Sequence, residues 1–432
     1  MPILPEELVL QILSHLDYRD VLRATRVSKQ WHRIATAPVL WRTLYFKQGW
    51  QVNEEMVRAF EQWSHTASCS MRVTTDDSGQ VHREILEPLP APFDPVHIAP
   101  YLDVHNLRLN WQYLYRQHLI LDKNWRTGNT TVYEIPTDQD RSNQRVQGIY
   151  CLQFDAKRVV SGSRDRHLRV WDIESRACIM CLSGHAGSVL CLQFDGKSNT
   201  VVTGSSDTTI MTWDLLRGER THVYEGHQAP VLNVRFDEKY VVSCSKDKTI
   251  KIWARSEVSR HPHTCIRTLR GHRAAVNAVQ FVDKTVVSAS GDRTIKIWDL
   301  DTGDCVRSIE GHERGIACIV FDGRFITSGS SDLSIRIHDA VTGAHVETLL
   351  GHTELVRTIQ TDERKIVSGS YDMSIKIWNR NARIEDEKVI EIGRHHSRIF
   401  KLQFDEKRIV SCSQDSQILV WDFSIDVDDT FF

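Results

Sequence analysis

Serine, histidine and aspartate recur together along the C-terminal part of this chain, as at His272, Ser288 and Asp292, with Trp298 close behind. That set serves a nucleophilic hydrolase: serine attacks, histidine takes its proton and aspartate orients the imidazole. A triad is needed once, whereas here the set returns in almost every copy of a repeat, which suits a structural hydrogen-bond chain linking strands. The second candidate for chemistry, Cys178 and Cys181, has Cys-x-x-Cys spacing in a strand-like run. The odd separation sends the two side chains to opposite faces, so neither a metal nor a redox centre is expected there. The ten cysteines are irregularly spaced, mostly in segments that read as buried strands, and are expected to be reduced and structural. No catalytic residue, metal or cofactor is predicted.

Any binding chemistry must be local. Over 432 residues, 54 Lys plus Arg nearly cancel 56 Asp plus Glu, which argues against nucleic-acid or membrane binding through bulk charge. Hydrophobic residues at 41% and charged residues at 25% give ample material for a core and exclude wholesale disorder. No run of about 18 apolar residues occurs, and the N-terminus lacks the basic-then-apolar order of a signal peptide. The expected location is cytoplasm or nucleus.

The elements that hold the Ser, His and Asp residues repeat from about residue 148. The unit Asp-x5-Trp reads Asp165/Trp171, Asp207/Trp213, Asp247/Trp253, Asp292/Trp298, Asp332/His338, Asp372/Trp378 and Asp415/Trp421, with successive Asp spacings of 42, 40, 45, 40, 40 and 43. A Gly-His pair precedes five of these Asp residues, at His185, His227, His272, His312 and His352; repeat seven has Arg394-His395-His396 instead. This resembles the WD-repeat family, whose four-stranded blades close into a propeller. Short β-branched runs such as Thr294 to Trp298, separated by Gly/Asp turns, agree with strands. Four short strands cannot bury both faces alone, so seven such sheets must stack in a ring. The last repeat ends without an outermost strand, and Thr130 to Ile135 is predicted to supply it. His338 in place of Trp weakens the fifth unit.

Residues 4 to 46 have helical periodicity. Leu8, Ile12 and Leu16 share one face, Pro5 and Glu6 suit a first turn, and Ser28 caps a later helix. The order Leu4-Pro5, Ile12-Leu13, Leu16, Leu22, Val27-Ser28, Trp31, Leu40-Trp41 resembles an F-box. That resemblance implies docking on a Skp-type adaptor and, through it, on cullin and RING subunits of a ubiquitin ligase. The contact residues it implies are Leu4, Pro5, Leu8, Ile12, Leu13, Leu16 and Leu22, with Trp31 and Trp41 as candidates for internal core. Between the modules, Asn53 to Trp63 and Val104 to Leu121 read as amphipathic helices, the second with Val104, Leu107, Trp111, Leu114 and His118 on one stripe. They are expected to form a stiff spacer. Ser64 to Pro95 reads as a loop with a hairpin around Asp77-Ser78-Gly79. The fold class is thus an all-β seven-bladed propeller (127–432) preceded by a small all-α F-box (1–46) and a helical linker (47–126).

Antiparallel register picks out one rim of the propeller from four positions per repeat: the residues flanking the turn Asp and those fifteen and seventeen before it, with two extra residues in repeat two. Of these 28 positions, seven are Lys or Arg and none is Asp or Glu, where average composition gives about 3.5 of each. A basic rim with Ser and Tyr hydroxyls suits phosphate oxygens, and Leu190, Leu232, Ala317, Leu355 and Phe400 add apolar contact.

The stretches Gly271 to Asn277, Ser288 to Lys296, Arg314 to Cys318 and Asn124-Trp125-Arg126 resemble the beta-transducin-repeat-containing F-box proteins. Those receptors bind a doubly phosphorylated Asp-Ser-Gly motif across the propeller. The site this implies is Tyr150, Arg164, Ser188, Leu190, Ser206, Lys246, Asn277, Arg293, Arg314, Gly315, Ala317, Leu355, Arg357, Tyr371 and Arg398, all but Arg314 already on the rim by register. This sequence starts at the F-box, without the upstream dimerisation segment of that group, so self-association by that route is not expected. Repeat one also lacks Gly-His. The leading expectation is a non-catalytic receptor for phosphorylated degrons. Its rivals are an F-box/WD scaffold for an unmodified partner, a receptor of the cell-cycle threonine-degron or sulfur-regulation kind, and a propeller hydrolase.

Overall fold

The computed structural model describes residues 4–67, 71–75, 81–85, 102–103, 108–136, 147–255, 263–380 and 388–431. The chain divides into two compact units: Met1–Thr127 together with Ser424–Phe432, and Gly128–Phe423.

The first unit is helical: α1 Glu6–Ser14, α2 Tyr18–Ala24, α3 Lys29–Ala35, α4 Pro38–Lys47, α5 Glu54–Ala67 and α6 Trp111–Thr127. Local chemistry sets the starts. The Asp17 carboxylate accepts from Arg19 N at 2.8 Å, Ser28 Oγ accepts from Trp31 N at 3.2 Å, and Pro38 occupies the first turn of α4. Leu13, Trp41, Tyr45, Phe60 and Leu114 are buried in one shared core.

The helices read as a spacer therefore belong to the same core as the first four. Trp41 packs edge-on against Tyr115 at 5.3 Å, and Tyr45 Oη lies 3.1 Å from His118 Nδ1. The second of them starts at Trp111 rather than Val104. Asn110 caps it, its side-chain oxygen accepting from Tyr113 N at 3.1 Å, and Leu109 just before is paired in extended form with Leu102. Val104 and Leu107 of the expected stripe lie outside the described residues. So does the Asp77-Ser78-Gly79 turn, although Met71–Thr75 and Val81–Ile85 on either side pair antiparallel.

The chain's last residues also depart from the expected boundary. Residues 424–432 group with the helices: Phe431 O accepts from Asn53 N at 2.9 Å, Asn124 Nδ2 donates to Ile425 O at 2.9 Å, and the Phe431 ring meets Phe60 edge-on. Phe431 is fully buried, which gives this short polar tail its anchor.

The second unit is a ring of seven four-stranded antiparallel sheets. Blades one to six span 149–183, 189–224, 231–269, 276–309, 316–349 and 356–394. Blade seven takes Ile399–Phe404, Arg408–Ser413 and Ile418–Asp422, and its outermost strand is Thr131–Ile135, paired from Asp422↔Thr131 to Ile418↔Ile135. Within each blade the second strand is buried almost throughout, as in Thr285–Ser290, because neighbouring sheets cover both its faces. The first strands line up around the ring, and Ile399–Phe404 meets Ile149–Phe154 to close it. Glutamines bridge these inner strands. Gln403 Oε1 accepts from Phe154 N at 2.8 Å while its Nε2 donates to Phe154 O at 3.2 Å, so one side chain satisfies both backbone groups across the closure.

Candidate functional site

In the recurring Ser, His and Asp residues the proton positions follow from the bonds. Trp298 Nε1–H donates to Ser288 Oγ at 2.8 Å, which leaves the serine proton for His272 Nε2, also at 2.8 Å. Nδ1–H of His272 then donates to Asp292 Oδ2 at 2.9 Å. Blades two, three and six repeat this chain through Thr203, Ser243 and Ser368. Burial pushes the imidazoles of His185, His227, His272 and His312 below the ordinary histidine value, outweighing the pull of their aspartates, so they are neutral near pH 7. Burial alone would raise the aspartates. Hydrogen bonds from hydroxyl, backbone and imidazole groups prevail and hold Asp207, Asp247, Asp292 and Asp332 down to about 2. These serines are fully buried and out of reach of a substrate, so the arrangement fastens strands.

Three blades vary the chain. Blade one lacks the histidine of the Gly-His position, and Arg169, two residues before Trp171, takes its place with Nη2 2.8 Å from Asp165 Oδ2, while His167 Nδ1 lies 2.8 Å from the Asp165 carbonyl oxygen. In blade five His338 replaces the tryptophan; it is buried, its Nδ1 has no hydrogen-bond partner, and Ser328 loses a donor. Burial, then the nearby His345, His312 and Arg336, push the His338 imidazole down to about 4. In blade seven His395 reaches Ser411 at 2.7 Å, but its Nδ1 stands 3.5 Å from Asp415.

These chains fix the turn aspartates, and the aspartates fix a rim. In every blade the amide of the residue before the turn Asp donates to the carbonyl at the start of the first strand, at 2.9–3.0 Å: Arg164 to Gly148, Ser206 to Ser188, Lys246 to Pro230, Gly291 to Ala275, Ser331 to Gly315, Tyr371 to Leu355 and Gln414 to Arg398. The residue after each Asp is left-handed, with φ of 69–76° at Arg166, Thr208, Lys248, Arg293, Leu333, Met373 and Ser416. None of the seven is glycine, so side chains stand on the rim at positions where backbone strain favours their absence.

Of the residues expected on this face, Arg164, Lys246, Arg293, Arg314 and Arg398 are exposed, and Tyr150, Ser188, Leu190, Ser206, Asn277, Gly315, Leu355, Arg357 and Tyr371 are half-buried. Ala317 is buried at 8% exposure and offers its carbonyl to Arg357 Nη1 at 3.4 Å, so it positions that arginine. Asn277 commits its amide to Ile316 O at 2.7 Å, a strut between blades four and five. Between the same blades Gly315 lies against Gly291, and a Cβ on Gly315 would approach Gly291 Cα to 3.2 Å. Phe400, absent from the carried-over set though present in the register count, lies between Tyr150, tilted at 5.2 Å, and Tyr371, edge-on at 6.1 Å. Arg398 lies over Tyr371 at 5.1 Å.

Ion pairs occur at the end of the ring away from this rim. At the far ends of the first strands, Arg158 pairs with Asp155 at 2.7 Å, Lys365 with Asp362 at 2.8 Å and Arg408 with Asp405 at 3.2 Å. Among the described residues none of Arg164, Arg166, Lys246, Lys248, Arg293, Arg314, Arg357 and Arg398 has a carboxylate partner. Unpaired arginine forks beside hydroxyls can take a multiply charged oxyanion.

In the helical unit α1 is apolar on two sides. Val9 and Leu13 face the core, Leu13 with no exposed surface, so Leu13 is a packing residue and not the contact residue expected. Leu4, Leu8, Ile12 and Leu16, spaced by four, are 38–50% exposed, with Leu22 of α2 at 39% and Pro5 also exposed. Trp41 is buried and Trp31 packs half-buried against the same core. Among the described residues no cluster of His, Cys, Asp and Glu could hold a metal ion, and no helix is long and apolar enough to cross a membrane.

An F-box-like family model matches residues 1–47, and the WD domain, G-beta repeat model matches seven segments: 143–172, 176–214, 218–254, 263–299, 303–339, 343–379 and 387–422. The chain is 38% identical over 177 residues to F-box and WD repeat domain-containing 11-A of Danio rerio, an alignment covering 41% of this chain and 26% of that protein. It is 25% identical over 185 residues to "Probable E3 ubiquitin ligase complex SCF subunit sconB" of Arthroderma otae, covering 40% and 22%. The matched stretches thus span about a quarter of these relatives' own lengths. Among solved structures, the WD40 propeller domain of Doa1 superposes with a TM-score of 0.56 at 25% identity, covering 64% of this chain and 93% of that one. With seven matched repeats laid out as seven blades behind a matched helical module, the chain belongs to the WD-repeat family and is an F-box/WD-repeat protein.

Proposed function

We propose that this protein is the non-catalytic substrate receptor of an SCF-type ubiquitin ligase: its F-box docks a Skp-family adaptor, and through it cullin and RING subunits, while the propeller rim captures phosphorylated Asp-Ser-Gly degrons. The observation that carries the degron reading is the set of eight rim cations, Arg164, Arg166, Lys246, Lys248, Arg293, Arg314, Arg357 and Arg398, that have no carboxylate partner among the described residues. A phosphoserine brings about −1.5 to −2 charge and three acceptor oxygens, which match those arginines. The exposed Leu4, Leu8, Ile12, Leu16 and Leu22 supply an apolar face of the kind an adaptor helix covers. The SCF name of the sconB relative supports the same assignment.

The aromatic cluster of Tyr150, Phe400 and Tyr371 favours a second reading, in which the rim holds an unmodified apolar segment and the protein is a scaffold. Capture of cellular proteins by the adaptor-bound receptor, before and after phosphatase treatment, separates the two. A phosphodegron receptor loses its captured proteins on dephosphorylation, and a scaffold keeps them.

A further inference from the structure

The inner strands line a chamber of about 530 Å³ whose wall includes Asp237 and Asp283, at the end of the ring opposite the basic rim. Its wall carries Arg235 of blade three and Lys401 of blade seven. We infer that this chamber is a second anion site, which takes a small phosphate-class oxyanion on Arg235 and Lys401.

The other blades are built differently at the same place. Blades one, two, four, six and seven have a glutamine at the position of Arg235, and it bonds backbone on the next inner strand. Gln193 pairs with Phe236 N and O at 2.8 and 3.0 Å, Gln360 with Phe404 N and O at 2.6 and 3.1 Å, and Gln280 donates to Ile319 O at 3.4 Å. Their amides are therefore occupied. Arg235 makes no such bridge to blade four. Its Nε is buried without a hydrogen-bond partner, and among the described residues neither Arg235 nor Lys401 meets a carboxylate. Other blades place Cys, Asn, Ala or Thr where Lys401 stands.

An enclosed guanidinium without a counter-charge is costly, and arginine cannot shed its proton. Lys401 shows the same stress: burial first, then the charges of Arg235 and Arg357, push its ammonium down to about 8, against the pull of Cys318 and Cys151. An anion between Arg235 and Lys401 removes both penalties. The two carboxylates in the wall are Asp237 and Asp283. Asp237 Oδ1 accepts from the amides of Lys239 and Tyr240 at 2.7 and 2.6 Å, and among the described residues Asp237 forms no ion pair with Arg235 or Lys401.

Calorimetric titration of the full chain with inorganic phosphate, and separately with tripolyphosphate, at ionic strength held constant with sodium chloride, tests this. Arg235→Gln restores the residue five other blades carry, and Lys401→Thr copies Thr358 of blade six, so both variants keep a precedent within the fold. The inference expects saturable binding that weakens by about tenfold or more in each variant and persists in the rim variant Arg164→Ala. Stronger binding of tripolyphosphate would assign the chamber to a polyanion, and stronger binding of phosphate to a single group. Absence of saturation with both anions, or a loss in Arg164→Ala with none in Arg235→Gln, overturns the second site and leaves the rim reading untouched.

Discussion

Arg169 holds Asp165 in blade one, where blades two to six use the histidine of their Gly-His pair, with the guanidinium 2.8 Å from the carboxylate and both side chains no more than 15% exposed. Removing one partner of such a pair leaves a charge without a counterpart in a poorly solvated place. Arg169→Ala should lower unfolding free energy by about 2–4 kcal/mol. Denaturant titration checks this, and a change near zero would mean the rim turn of blade one is held by other bonds.

Blade five offers the converse. His338→Trp should give Ser328 the indole donor that Ser288 receives from Trp298 at 2.8 Å, remove the orphaned Nδ1 of His338, and add about 1–2 kcal/mol. It should also change the pH profile. The folded imidazoles lie below the unfolded histidine value, His338 at about 4, so the unfolded state binds more protons and stability falls as pH drops through that window. Loss below about pH 6.5 should be followed by a second below about 3.8, as aspartates held down to about 2 protonate. Melting scans from pH 8 to 3 should show both, with the first shallower in the tryptophan variant. A melting temperature constant between pH 7 and 5 would contradict the neutral-imidazole assignment.

The two faces of α1 should respond in opposite ways. Leu8→Glu or Ile12→Glu should abolish co-purification with the adaptor while leaving stability within about 0.5 kcal/mol, as expected for exposed side chains. Leu13→Ala should cost about 2–5 kcal/mol through the cavity it leaves. Retained adaptor binding in the first two variants would remove the docking face from this helix.

Arg293 combines a rim side chain with a φ of 72°, a conformation glycine adopts freely. Arg293→Gly should therefore fold as well as the parent, or gain up to about 1 kcal/mol, yet bind a phosphorylated peptide about tenfold more weakly. Loss of stability alongside affinity would show that the arginine serves the turn rather than a ligand.

The seven-bladed ring was legible because each blade needs the same turn Asp, and Asp-x5-Trp survives in the sequence even where one partner changes. Register then located the rim, since strands that alternate by two leave little freedom once a turn is fixed. Other features had weaker signals. Periodicity marks Ile12 and Leu13 equally as apolar, and only the packed helices decide which one turns inward. Arg169 could have been found two residues before Trp171, but the missing Gly-His drew attention to an absence. Residues 424–432 have neither period nor turn pattern, and their place follows from the burial of Phe431. Asn110 was a visible cap that the apolar stripe running through it obscured.

The central claim is recognition of phosphate on the propeller rim. Its most direct measurement is fluorescence anisotropy of the adaptor-bound protein against an Asp-pSer-Gly-x-x-pSer peptide and its unphosphorylated twin. The account predicts saturable binding of the phosphorylated peptide alone, lost in Arg164→Ala and Arg357→Ala. Equal binding of the two peptides, or binding of neither, would contradict it.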